Sequence, residues 1–110
     1  MSAYHDSEDL KRLREFKTLA PTEFKAWVGL EMTVGREDGR IPQKYRELIA
    51  IACAHVTQCP YCIDNHVKNA KKAGATKEEV SEAIFIAAAL RAGAAAAHGA
   101  MALKLYDTGG

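Results

Sequence analysis

Several features that would place this sequence in a functional class are scarce. Basic residues number 15 and acidic residues 14, so the formal net charge is +1 and offers no electrostatic case for binding nucleic acid or an anionic membrane. Cysteines number only 3, an odd and low count that argues against a disulfide-stapled secreted domain. The N-terminal stretch MSAYHDSEDLKRLREF has no apolar segment of the kind a signal peptide needs, so we predict a cytoplasmic protein.

The longest apolar region, residues 83–103, is poorly suited to a bilayer. It contains Arg91, His98 and two glycines, which a transmembrane helix tolerates badly. We therefore expect no membrane partner. In a reducing cytoplasm, a Cys-x-x-Cys pair is more often catalytic or metal-binding than structural.

The pattern of the chain predicts an all-α fold. No segment alternates apolar and polar residues over a strand's length, and alanine, leucine, lysine and glutamate are abundant. We predict a single domain over residues 1–110, built as a bundle of about six helices. The predicted helices start near Ser7, Thr22, Pro42, Pro60 and Thr76, with a last helix over residues 92–106.

Apolar spacing predicts which helix faces are buried. The third helix carries an apolar face that consists of Tyr45, Leu48, Ile49, Ala52 and Cys53. Cys53 is expected to act there as a small core residue. Thr76 and Glu79 form a capping-box pattern ahead of an apolar run. The small residues of the run 92–97 suit a helix that packs tightly or faces another subunit.

The segment QCPYCIDNH, residues 58–66, carries the chemistry of the sequence. Pro60 opens a helix and places Cys59 at or near its N-cap. Cys62 then lies in the first turn, where unpaired amides and the helix dipole favour a thiolate. His66 follows one turn later on the same face and can accept the thiol proton. Cys59 is near enough to resolve a sulfenic acid on Cys62 as a disulfide.

Glu47 is the second candidate, because it interrupts the apolar run of the preceding helix. A carboxylate buried there would be costly without a partner. Facing His66 across a helix pair, it would orient the imidazole and relay a proton. Considered one at a time, Glu47 and His66 can each be interpreted as an ordinary solvated helix residue. His55 is interpreted as a residue at a helix end, and His98 is not part of any candidate site. The joint spacing Glu-x11-Cys-x2-Cys-x3-His favours function.

Two other sites share parts of this pattern. Cys-Pro-Tyr-Cys is the active-site tetrapeptide of glutaredoxins, but their motif follows a strand and faces a later cis-proline. Here a helix precedes the motif and no proline follows Pro60. A zinc site would use Cys59, Cys62 and His66 with His55 or Glu47 as fourth ligand. The sequence lacks the second close ligand pair that usually marks a structural zinc site.

From about Phe16 to Leu105 the sequence resembles the carboxymuconolactone decarboxylase superfamily, in its alkylhydroperoxidase AhpD-like branch. The residues that carry the resemblance are Arg46-Glu47-Leu48-Ile49-Ala50, Cys59-Pro60-Tyr61-Cys62-Ile63 with His66, Ala73-Gly74-Ala75-Thr76 and Glu79-Val80. The resemblance implies an all-α fold and reduction of hydroperoxides by a thiolate, with a second cysteine closing a disulfide. The decarboxylase branch lacks the cysteine pair.

The same resemblance implies roles for individual residues and for partners. Cys62 looks like the peroxide-reacting thiol, Cys59 like the resolving thiol, and Glu47 with His66 like the proton relay. No cofactor or metal is expected. The expected partners are a hydroperoxide, a thioredoxin-, glutaredoxin- or lipoyl-type reductant, and further copies of the chain.

Two departures separate this chain from AhpD itself. AhpD has a histidine directly before its second cysteine, whereas Tyr61 stands here as a possible auxiliary group. AhpD also carries a duplicated helical core, whereas this chain has one copy. We therefore predict a homo-oligomer, with a hexamer first and a trimer second. The alternative function is a general thiol–disulfide oxidoreductase or an oligomeric redox sensor without efficient peroxidase turnover.

Overall fold

The computed structural model describes residues 4–109, which are helical with short connections and contain no strand. The elements are an N-terminal 3-10 helix (Ser7–Glu15), α1 (Phe16–Leu19), α2 (Pro21–Val34), α3 (Gln43–Thr57), α4 (Pro60–Lys72) and α5 (Lys77–Thr108). The all-α prediction is confirmed. α3 packs against both α4 and the first part of α5, and this triad holds the buried core.

The helix boundaries follow local capping chemistry. The N-terminal helix starts at Ser7, as predicted, and its N-cap Asp6 accepts a hydrogen bond from the Glu8 amide. Pro42 is the N-cap of α3 and not its first helical residue, because its ψ of 151° is extended. The predicted capping box is present: Glu79 N donates to Thr76 Oγ1 at 3.0 Å, and Thr76 N donates to Glu79 Oε1 at 2.9 Å.

The two helices predicted at the C-terminal end are one. α5 runs unbroken for 32 residues from Lys77 to Thr108. A glycine inside a helix lowers its stability by about 1 kcal/mol relative to alanine, and the high helix propensity of the surrounding alanines offsets this loss. No proline or left-handed residue stands between Ala87 and Ala92 to end the helix. The predicted boundary coincides with a change in amino-acid composition, but no residue there ends the helix.

The buried face of α3 also differs from the prediction. Glu47, Ile51 and Ala54 are buried, whereas Tyr45 and Ile49 are about half exposed. Cys53 is exposed, so its expected role as a small core residue is wrong for this chain. α3 is apolar on more than one side, and spacing alone could not select the side that contacts α4 and α5.

The loop between α2 and α3 is held by one guanidinium group. Arg46 donates from Nε to Ile41 O at 2.7 Å and from Nη1 to Val34 O at 2.8 Å. The side chain lies across Gly39, where an added Cβ would stand 1.6 Å from Arg46 Nη2. Glycine at position 39 is therefore required for this contact, which fixes the end of α2 against α3.

The C-terminal part of α5, residues 92–108, extends beyond the triad, and we call it the arm. Its large apolar side chains are exposed, including Leu103 at 71% and Tyr106 at 87%. The radius of gyration is 18.4 Å, whereas a compact domain of this length has about 13 Å. α5 is also long and apolar enough, by length and composition alone, to cross a membrane.

Candidate thiol site

A two-residue connection from α3 to α4 sets the position of the cysteines. Gln58 ends α3 in the left-handed region at φ 59°, and Cys59 follows as the N-cap of α4 with Pro60 as first helical residue. The Cys59 amide donates to Ala54 O at 3.0 Å, which ties the turn to α3. The predicted N-cap position of Cys59 is therefore confirmed.

The sulfur of Cys59 is the N-cap acceptor of α4, a role that a side-chain oxygen usually has. The amide of Cys62 donates to Cys59 Sγ at 3.2 Å. This amide is one of those that a helix start leaves without a partner inside the helix. The bond therefore satisfies this amide at the start of α4. Both thiols are free and partly exposed.

The Cys62 thiol is partly buried. Burial raises the pKa of the Cys62 thiol to about 11, with smaller contributions from its hydrogen bond with Cys59 and from the charges of Cys59 and Glu31. The sequence led us to expect that the helix start would favour a thiolate on Cys62. The pKa of Cys62 is shifted in the opposite direction, chiefly because burial disfavours the charged thiolate.

Glu47 and His66 meet between α3 and α4. Glu47 Oε2 lies 2.7 Å from His66 Nδ1, and the Glu47 residue is only 6% exposed. Gln43 Nε2 reaches the other carboxylate oxygen at 3.3 Å and the carbonyl oxygen of Gly35 at 3.4 Å. The structure thus brings together the two residues that the sequence paired. It adds Gln43, one turn before Glu47, as a group that orients the carboxylate.

This contact defines which nitrogen of His66 is available. With Glu47 ionised, Nδ1 carries the hydrogen and Nε2 is left as the acceptor. Within residues 4–109, Nε2 makes no hydrogen bond. Cys62 precedes His66 by one helical turn, so both side chains belong to the same face of α4. The carboxylate–histidine pair is arranged to take up or release a proton at Nε2.

Two cavities flank the pair. One of about 420 Å³ has a polar wall that includes Gln43, Asn65, Asn69 and Lys72. The other, of about 270 Å³, has an apolar wall that includes Val34, Ile41 and Ile49. Glu31, Glu47 and His66 line both cavities. Glu31 comes from α2, and no spacing in the sequence relates it to the motif.

Tyr61, between the two cysteines, is engaged with the N-terminal helix. Its hydroxyl donates to Asp9 Oδ2 at 2.7 Å. This bond raises the pKa of Tyr61 and lowers the pKa of Asp9. Among the described residues, no three or more histidine, cysteine or acidic side chains are arranged as metal ligands. Tyr61 here joins α4 to the N-terminal helix, a contact that sequence spacing could not indicate.

Comparison with known proteins identifies the family. The model of the carboxymuconolactone decarboxylase family matches residues 21–105. The chain belongs to this family. An uncharacterized protein from the cox locus of Paracoccus denitrificans is 54% identical over 70 residues, which are 64% of this chain and 63% of that protein. This match thus spans less than two thirds of that relative. An uncharacterized protein of Cupriavidus necator is 31% identical over 97 residues, 86% of this chain and 85% of that one.

Solved structures agree with this membership. A crystal structure of a protein from Methanobacterium thermoautotrophicum matches with a TM-score of 0.70 at 29% identity, over 78% of this chain and 96% of that one. An apo crystal structure of a carboxymuconolactone decarboxylase family protein from Legionella pneumophila matches with a TM-score of 0.68 at 32% identity, over 76% and 75%. The predicted superfamily and all-α architecture are therefore confirmed.

Proposed function

We propose that this member of the carboxymuconolactone decarboxylase family is an AhpD-like, thiol-dependent hydroperoxidase. The observation that carries the proposal is the 2.7 Å contact between buried Glu47 and His66, one helical turn from Cys62. A buried carboxylate that orients an imidazole on the same helix face as a thiol can supply the base that activates a cysteine nucleophile. The raised pKa of Cys62 makes such a base necessary, because a neutral thiol is a poor nucleophile.

The oxidative half of the cycle uses both cysteines. His66 Nε2 accepts the Cys62 proton, and the thiolate attacks the outer oxygen of the hydroperoxide. The O–O bond breaks, the alkoxide receives the proton from His66, and Cys62 becomes a sulfenic acid. The Cys59 thiolate then attacks the Cys62 sulfur, hydroxide leaves and is protonated to water, and the Cys59–Cys62 disulfide remains.

A thiol reductant completes the cycle. Two electrons and two protons from a dithiol return both cysteines to the free form seen here. A thioredoxin-, glutaredoxin- or lipoyl-type protein can supply them. No metal or cofactor enters any step.

The direct test is steady-state consumption of a hydroperoxide by the purified full-length chain. Dihydrolipoamide, reduced thioredoxin and reduced glutaredoxin are compared as donors at equal concentration. We expect many turnovers per chain with at least one donor. A single oxidation event that stops with every donor would instead identify a redox sensor and contradict the proposal.

We also propose that the protein acts as a homo-oligomer. Only Ile51 among the large side chains of residues 4–109 is fully buried, while the arm and much of α2 expose apolar side chains. Helices that are apolar on all sides are buried in stable proteins, and closed symmetric assemblies are the usual way to bury them. Arg91 lies within the long helix and favours a protein environment over lipid. Resemblance to the duplicated relative favours a hexamer, with a trimer as the next choice.

The oligomer prediction is tested by light scattering over a dilution series. Met101, on the arm and 54% exposed, should cause dissociation when changed to glutamate, because a charge would enter an apolar contact. Lys77→Glu, in the first turn of the same helix, is the matched control and should leave the mass unchanged. A folded wild-type monomer at micromolar concentration would contradict the proposal.

A further inference from the structure

Glu31 is the acidic residue that α2 contributes to the surroundings of the thiol site. It lines both the polar cavity of about 420 Å³ and the apolar cavity of about 270 Å³, together with Glu47 and His66. Glu31 is exposed, and within residues 4–109 it has no ion-pair partner. A reactant that occupies either cavity therefore lies beside this carboxylate.

Glu31 also lies within electrostatic reach of the reacting sulfur. After burial and the contacts with Cys59, the charge of Glu31 is a further cause of the raised pKa of the Cys62 thiol. A fixed charge that acts on this thiol acts equally on a charged reactant that approaches it. Like charges repel, so an anion is disfavoured there and an uncharged molecule is not.

The other charged groups around the two cavities leave the lining negative. Arg46 lines the apolar cavity, and its guanidinium is engaged by two backbone carbonyl oxygens of the α2–α3 loop region. Lys72 lines the polar cavity, where Glu37 adds a further carboxylate. With the imidazole neutral, three carboxylates face two cations. Glu47 is buried in its contact with the imidazole, so Glu31 is the exposed acidic group common to both cavities.

We propose that Glu31 is a specificity-determining residue, whose negative charge makes the Cys62 site select uncharged reactants over anionic ones. Combined with the proposed peroxidase activity, on which this part of the inference rests, the substrate class is an uncharged organic hydroperoxide. A hydroperoxide with a carboxylate close to its peroxide group is then a poor substrate.

The apolar cavity indicates the size of the organic group. Val34, Ile41 and Ile49 form part of its wall. Ligand pockets usually have volumes of about 300 Å³ or more, so a cavity of about 270 Å³ suits a small organic group. An apolar group placed there leaves water for contact with these side chains. Its peroxide end then faces His66, which lines the same cavity.

The test uses two thiol reagents of nearly equal size, neutral iodoacetamide and anionic iodoacetate. The protein carries Cys53→Ser and Cys59→Ser, so that Cys62 is the single thiol of the chain, and serine still provides an N-cap for α4. Mass spectrometry measures both alkylation rates at low ionic strength. The same thiolate reacts with both reagents, so the ratio of the two rates does not depend on how much thiolate is present. The ratio therefore reports the charge around Cys62.

Glu31→Gln is expected to lower the ratio of the iodoacetamide rate to the iodoacetate rate by at least about threefold. Glu31→Lys should lower it further, and Glu31→Asp should keep most of it. Glu23→Gln is the matched control, because Glu23 is on the same helix but lines a separate groove with Phe24 and Trp27. In 1 M salt the ratios should converge, since the Debye length falls to about 3 Å. Circular dichroism checks that each variant is folded.

An unchanged ratio in both Glu31→Gln and Glu31→Lys would overturn the proposal. The substrate class is tested with all three cysteines present, by comparing kcat/KM for cumene hydroperoxide and for its para-carboxylate derivative. We expect the neutral compound to be favoured and Glu31→Gln to narrow the difference. If neither compound is consumed while the alkylation ratio still depends on residue 31, the proposed peroxidase fails and the charge selection stands. If both are consumed with a preference that ignores residue 31, the role of Glu31 fails and the peroxidase stands.

Discussion

Replacing Cys62 with serine is expected to abolish hydroperoxide turnover. Only Cys62 has the Glu47–His66 pair one turn away, and the serine hydroxyl is not a nucleophile toward peroxide. Cys59→Ser should behave differently, because Cys62 can still be oxidised once but its sulfenic acid cannot be resolved. The measurement is hydroperoxide consumption under single- and multiple-turnover conditions, with the sulfenic acid trapped by a dimedone-type reagent.

Cys53→Ser is the matched control for these cysteine variants. Cys53 is exposed on α3 and is not part of the motif, so its removal should leave turnover unchanged. The outcome that would reverse the assigned roles is also clear. If Cys59→Ser blocks the first oxidation and Cys62→Ser does not, then peroxide reacts at Cys59.

Glu47→Gln and His66→Phe are each expected to slow the oxidation of Cys62 by ~10²–10⁴-fold, the usual contribution of a positioned acid–base group. The reason is the pKa of Cys62, which stands at about 11 and leaves very little thiolate at neutral pH without a base. In His66→Phe the oxidation rate should therefore keep rising with pH toward about 11. The wild-type rate should level off at lower pH, because the imidazole provides the base.

The charged and titratable groups near Cys62 determine how its oxidation rate depends on pH. Cys59 and Glu31 raise the Cys62 pKa by their charges, and the imidazole of His66 follows one turn along. His55→Phe is the control variant, because within residues 4–109 His55 bonds only to Ile51 O and should not alter the rate. Thermal unfolding is measured in parallel. A lower melting temperature with unchanged rates would assign Glu47 and His66 to stability alone.

Much of the fold was predictable because its signals are local. Capping at Thr76, the turn before Pro60 and the high helix propensity of the alanines all act within a few residues. The face of α3 was not predictable, because several of its sides are apolar and tertiary packing selects one. The continuity of α5 was missed because a change from mixed to small side chains resembles a boundary without being one.

The residues of the candidate site also fall into those that the sequence could predict and those that it could not. Glu47 and His66 could be paired because a carboxylate inside an apolar helix run needs a partner. Glu31 and Asp9 could not be found, since both reach the motif from other helices. The hydrogen bond from the Cys62 amide to Cys59 Sγ could not be found either. Residue spacing places both sulfurs at the helix start but does not say which of them takes that amide.

The order of the core helices along the chain bears on how the protein is made. α3 needs Ala83 and Ala87 of α5 to bury its core face, so that face stays uncovered until α5 has been synthesised. Chains grow at roughly 5–20 residues per second, and a domain normally folds as a unit once its last core element has emerged. The core is therefore expected to form only after α5 has emerged from the ribosome. A nascent chain that stalls before Ala83 would lack that core and would become a substrate for quality-control proteases instead of a folded protein.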